Sequence, residues 1–212
     1  MDELKNLEGK KSINSTDSEC VKVKSRQGIH AGYNSQIVVD EKAGLIVSSD
    51  VVAESNDVNQ FAEQIEQANE TLGKKCKNAC GDAGYADTAE LKKIDEQNIN
   101  VIVPNQKQAH NRETKPFEKE QFQYDEKNDS YRCPEGHKLT YTYFDKDKDH
   151  RVYQISDKAV CSRCNYFGIC TTSNHGRRIR RLTNEETKLK LAEQYKKEES
   201  QDSLLIAAMM RS

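Results

Sequence analysis

Two hydrophobic rhythms run through the first half of the chain. Tyr33 to Asp40 and Leu45 to Ala53 are β-branched runs of strand length, joined by Glu41-Lys-Ala-Gly44, and Gly44 supplies the positive φ of a tight connection. The pattern predicts an antiparallel hairpin. From Asp57 the spacing changes, and Val58, Phe61, Ala62, Ile65, Ala68 and Leu72 fall on one helical face. That predicts an amphipathic helix with Asp57 as N-cap and Gly73 as its stop. A short strand over Cys76 to Cys80 then delivers Asp82 to its carboxyl end. Asp87-Thr-Ala-Glu90 reads as a capping box opening a helix to about Gln97, and Ile99 to Val103 is a strand halted by Pro104. Hairpin, helix, strand, helix, strand is the order of a mixed α/β layer with a parallel portion.

The rhythm is lost elsewhere. Residues 1–31 show no sustained period and are expected to be irregular, and residues 32–104 form the α/β core. Residues 105–181, with polar loops, short Tyr-rich strands and four of the seven cysteines, read as an insert. Residues 182–200 return as a helix, with Glu186/Lys190 and Glu193/Lys197 at the favourable spacing, and 201–212 are a divergent apolar tail.

Composition narrows the classes. Hydrophobic residues are 34% of the 212 and charged residues 32%, with no Trp, so any core is thin. No apolar run approaches the length a bilayer demands, and the N-terminus lacks an apolar leader, so the chain is read as cytoplasmic. A net charge of -2 does not by itself announce a nucleic-acid binder. The distribution does more: Arg177, Arg178, Arg180 and Arg181 crowd into five positions, readable as a phosphate-contacting arm or as a solvated loop.

In a reducing compartment an odd cysteine count argues against a disulfide framework. Cys133, with His137 four residues on, makes one arm, and Cys161, Cys164 and Cys170 make the other. Cysteine thiolates at this spacing can close a tetrahedral structural Zn2+ site, and packing as small hydrophobes is the alternative. Cys76 and Cys80 are read as strand thiols. Asp82, at a strand end between glycines, is a candidate Mg2+ ligand or simply a cap for nearby backbone N–H groups. Asp17, Asp40 and Asp50 are the further acids weighed as its partners.

Gly28-Ile-His-Ala-Gly-Tyr-Asn-Ser-Gln-Ile-Val-Val-Asp40, Gly81-Asp-Ala-Gly-Tyr85, Tyr131-Arg-Cys-Pro-Glu-Gly-His137, Cys161-x-x-Cys164 and Gly176-Arg-Arg-Ile-Arg-Arg-Leu182 together resemble the catalytic region of bacterial insertion-sequence transposases of the DDE class. The resemblance implies an incomplete ribonuclease-H-like mixed sheet flanked by helices, carrying a small Cys-rich, zinc-binding β insert. It also implies DNA as partner and Mg2+-dependent strand cleavage and transfer, in which three acids hold two ions. Asp82 matches the family's second Asp, and the arginine run would lie along DNA. The first Asp and final Glu of that family find no match here, so the chain is expected to be a central fragment, catalytically incomplete alone. A non-catalytic zinc-stapled DNA- or protein-binding module, associating with itself or with an intact transposase, is the competing expectation.

Overall fold

The structure, a computed structural model, describes residues 14–25 and 28–197; the apolar tail expected over 201–212 lies outside them. Two units divide the chain, one of residues 1–109 and 187–212, the other of residues 110–186. Together they are mixed α/β.

In the first unit β1 (Val21–Ser25) and β2 (Gly28–Gly32) pair antiparallel, ordering part of a stretch that sequence alone reads as irregular. Two more strands, β3 (Asn34–Val39) and β4 (Ile46–Val52), form the expected hairpin, its turn closed by Gly44 N–H donating to the Asp40 carbonyl at 2.8 Å. Helix α1 (Phe61–Leu72) ends where predicted, because Gly73 takes φ 61 and its N–H returns to the carbonyls of Asn69 and Glu70. Its start differs. The N-cap is Gln60, with no side-chain cap, since Asp57 is engaged elsewhere.

Strand β5 (Asn78–Cys80) leads through a 3-10 turn into α2 (Thr88–Asp95), and β6 (Asn100–Ile102) returns parallel to β5. Asp87 caps α2 through Ala89 N–H and Glu90 N–H, both at 3.0 Å. Glu90, the other half of the expected box, binds Lys93 Nζ instead, at 2.5 Å. A short helix, α3 (Gln106–Ala109), follows. The core of this unit is aliphatic around Phe61: Ile65, Leu91, Ile94, Ile99 and Val101 pack with it. The mixed sheet expected as one layer is divided, β3–β4 forming one two-stranded sheet and β5–β6 another.

The second unit is a five-stranded antiparallel sheet. Its strands are β7 (Gln123–Asp125), β8 (Ser130–Arg132), β9 (Lys138–Asp145), β10 (His150–Ile155) and β11 (Arg178–Leu182), in the order β11-β10-β9-β8-β7. Between β10 and β11 lies α4 (Lys158–Ser162), capped by Asp157 through Ala159 N–H at 2.9 Å. Phe122, Tyr131, Leu139, Tyr153, Ile155 and Ile179 make the core. Asp129, at φ 42, sits beneath it and accepts from Tyr153 OH at 2.6 Å, Tyr124 OH at 2.8 Å and the Arg151 guanidinium at 2.5 Å. Burial works against the Asp129 charge, but those phenols and cations win and hold its carboxyl below the ordinary range.

The last described element is α5 (Glu185–Lys196). Leu191 belongs to the aliphatic core, and Lys190 Nζ grips both oxygens of Asp95 at 2.6 and 2.7 Å rather than pairing with Glu186. Among the described residues no helix is long and apolar enough to cross a membrane.

Candidate functional site

Asp82 lies two residues past the end of β5, as the spacing predicts, and caps the 3-10 turn by accepting Gly84 N–H at 2.5 Å. The turn brings it a second carboxylate that sequence reasoning assigned to a helix cap. Asp57 accepts from Asn34 Nδ2 at 2.7 Å and Gln36 Nε2 at 2.9 Å through Oδ1, leaving Oδ2 turned the other way. A Cβ built on Gly84 would lie 2.8 Å from Asp82 Oδ1 and 3.0 Å from Asp57 Oδ2. The missing side chain of Gly84 is therefore what leaves room for two carboxylates on one space.

Gln36 is the keystone of this bracket. It is 1% exposed and also accepts Tyr85 OH at 2.6 Å. Burial, with the nearby Asp57 charge, pushes the Tyr85 phenol up to about 12, so it stays a donor at neutral pH. The clue was present in β3, where alternation turns Asn34 and Gln36 inward and leaves Ile37 57% exposed, the reverse of an ordinary half-buried strand.

The acids weighed earlier as partners make other hydrogen bonds. Asp17 accepts from Tyr33 OH at 2.9 Å, Asp40 from Ala43 N–H at 2.9 Å, and Asp50 from Val51 N–H at 2.7 Å. Among the described residues no group of three or more His, Cys, Asp or Glu side chains is gathered tightly enough to hold an ion. The donor set beside Gly84 nonetheless suits a hard divalent cation, being two carboxylates backed by neutral amides.

The four cysteines of the second unit meet around one cavity. Cys133 sits in a tight turn, its N–H donating to the His137 carbonyl at 2.9 Å while Gly136, at φ 82, closes back on the Cys133 carbonyl at 2.8 Å. Cys161 ends α4, Cys164 follows with its N–H on the Cys161 carbonyl at 3.1 Å, and Cys170 N–H binds the Tyr166 carbonyl at 2.9 Å. All four are free thiols lining a cavity of about 30 Å³, together with His137 and Arg177. Burial pushes the Cys170 thiol up, Arg177 opposes that, and the other three cysteines are near enough to add to it.

Strand alternation splits the arginine run. Arg177 turns inward, its guanidinium donating to the carbonyls of Cys170 at 2.9 Å and Phe117 at 2.8 Å and lying 5.2 Å from the Phe122 ring centre. Arg181 stacks 4.0 Å above Tyr124 with its side chain only 11% exposed. Arg178 and Arg180 are exposed on the opposite face, in register with Gln154 and Val152 of β10, beyond which lie Thr140 and Tyr143 of β9.

The two units thus offer an α/β layer with a carboxylate pair near the end of a parallel strand, and an antiparallel sheet with exposed arginines beside four cysteines. A family model described as "Transposase DDE domain" matches residues 8–197, and the chain belongs to that family. No curated protein and no solved structure matches it.

Proposed function

We propose that this DDE transposase domain grips DNA ends and takes a divalent cation at the Asp82 turn, on a ribonuclease-H-like core. The convergence of Asp82 Oδ1 and Asp57 Oδ2 on Gly84 supports this reading. Mg2+ held there would polarise a phosphodiester oxygen and lower the pKa of an attacking water or 3′-hydroxyl. Asn34 and Gln36 fix the rotamer of Asp57, and Asp82 is held by its own turn, so both carboxylates stand ready without rearrangement. Arg178 and Arg180 contact the phosphate backbone, while Arg177 and Arg181 brace the strand that carries them.

Phosphoryl transfer by two metal ions draws on more ligands than one carboxylate pair, so the chain by itself neither cuts nor joins DNA. Incubation with duplex DNA and Mg2+ or Mn2+ should leave the strands intact. Cleavage that disappears in Asp82→Ala would show the site to be complete. Cation binding is checked apart from catalysis by titrating Mn2+ and following its spin-resonance signal: Asp82→Asn and Asp57→Asn should each weaken binding, and unchanged binding in both sinks the cation assignment.

The second reading, a zinc-stapled DNA-binding module without catalysis, is favoured by the cysteines around one cavity. It predicts duplex binding that weakens with salt and with neutralisation of Arg178 and Arg180.

A further inference from the structure

The five-stranded sheet of the second unit turns Tyr131, Leu139, Tyr153 and Ile179 to its core, and the strand register fixes what the opposite face carries. Residues directly opposite one another, and residues two apart on a strand, share a face. One row therefore reads Arg180, Val152 and Tyr143 across β11, β10 and β9. The next reads Arg178, Gln154, Thr140 and, on β8, Ser130, and a third sets Lys138 opposite Arg132. Arg178 Nε donates to Gln154 Oε1 at 3.0 Å, so these two side chains lie together on that side.

Charge on this face points to an anionic occupant. Arg132, Lys138, Arg178 and Arg180 stand against two acids, Asp145 and Asp125, and Asn128 engages both oxygens of Asp125, at 2.7 and 3.2 Å. Arg178 and Arg180 are two residues apart on an extended strand, about 7 Å, so they offer guanidinium groups in succession along β11. Tyr143 lies two strands from Arg180, about 10 Å away, and is 44% exposed, the one aromatic side chain in these three rows. Val152 between them is 1% exposed, which gives that row an apolar floor.

An exposed ring beside a row of arginines discriminates between forms of nucleic acid. In a duplex the base faces are stacked inside and only their edges reach the grooves, so Tyr143 would meet no base face while the arginines hold the backbone. A single strand turns its bases out from its phosphates, and each base offers a π-face to an aromatic side chain. We propose that the face formed by β9, β10 and β11 binds single-stranded DNA, with a base stacked on Tyr143 and successive phosphates on Arg180 and Arg178. This deepens the DNA grip proposed above and rests on it, naming the unpaired strand as what the arginines hold. Stacking uses only the ring, so Phe replaces Tyr143 and an aliphatic side chain does not.

The test uses the full chain and a fluorescent oligonucleotide, single-stranded or annealed to its complement, titrated by anisotropy across a range of salt. A second oligonucleotide carries 2-aminopurine, whose emission is quenched when it stacks on an aromatic ring. Tyr143→Leu should weaken single-strand binding about tenfold and abolish the quenching, with duplex binding and the far-UV circular dichroism unchanged. Tyr143→Phe should restore both binding and quenching. Neutralising Arg178 and Arg180 together, as Arg178→Gln and Arg180→Gln, should weaken single-strand binding and lower its salt slope by about 1.4, as two phosphate contacts are lost. Single-strand binding unaltered in Tyr143→Leu overturns the proposal, and duplex binding that still falls in the arginine variant then leaves the DNA-grip reading standing. Equal losses of single-strand and duplex binding in Tyr143→Leu overturn it as well, because the ring then supports the sheet rather than a base. A chain that binds neither form of DNA but retains polyglutamate overturns the DNA-grip reading itself, and this proposal with it.

Discussion

The two units solve the same problem of a thin core by different chemistry. The first buries aliphatic side chains about α1, with Ile94, Val101 and Ile99 at 0 to 2% exposure, and keeps its polar site at the surface end of β5. The second has a core of aromatic rings, Tyr131 lying 5.1 Å from Tyr153 between centroids, and sets the Asp129 carboxylate to accept from the hydroxyls of Tyr153 and Tyr124. An aliphatic core depends on volume, so its weak points are cavities. An aromatic core with buried phenols depends on partners, so its weak points are unpaired polar atoms and backbone pinches.

That contrast is broken most strongly in the first unit. Ile94→Ala empties a fully buried position and should destabilise the chain by about 3 kcal/mol. The measurement is urea denaturation followed by far-UV circular dichroism. A loss under about 1 kcal/mol would mean that the aliphatic cluster closes around the gap and is not the main support.

In the second unit Gly176→Ala should cost about 2 to 3 kcal/mol, joining a strained positive φ to a contact 2.5 Å from Ile155 Cγ2. Its effect should be confined to residues 110–186 by hydrogen exchange, and an equal loss of protection in the first unit would argue against the division.

Asp129→Ala should cost about 2 kcal/mol by leaving the hydroxyls of Tyr153 and Tyr124 without their acceptor. The sign of its pH dependence is fixed by the depressed folded pKa. The contribution is complete above the unfolded carboxylate value of about 4 and fades as pH falls through the folded one. Acid unfolding of the parent chain should therefore be steeper than that of the variant. At the other limit burial, with the Asp129 bond, raises the Tyr153 pKa, so stability is retained below pH of about 10 and lost above it as the phenol ionises.

The smallest change expected is from Asp87→Ala, about 1 kcal/mol, for the loss of a two-pronged N-cap in a helix whose inner face stays packed. Thermal melts resolve it, and no shift would show that the packing of Leu91 and Ile94 carries α2 unaided.

Much of this was legible beforehand because it is local. Gly73 stops α1 by its own φ, Asp87 caps α2 from the position just before it, and β3 with β4 closes over a short turn. Asp82 could be placed at a strand end for the same reason. Asp57 could not be assigned its place, because an Asp before an apolar helical run looks like an N-cap, and only β3, more than twenty residues upstream, supplies the amides that claim it. The arginine run was likewise one basic stretch in sequence, and it takes a neighbouring strand to decide that Arg177 and Arg181 face the core while Arg178 and Arg180 face out.

The amino-acid order by itself determined the β3–β4 hairpin, the glycine stop of α1, the Asp87 cap of α2 and the family, since helix periodicity, turn glycines and motif spacing act within a few residues. Tertiary structure alone decided which carboxylate stands beside Asp82, which arginines remain available, and that four cysteines separated by up to 37 positions line one cavity. Those outcomes depend on packing between distant segments, where burial forces each polar group to find a partner the local sequence does not name.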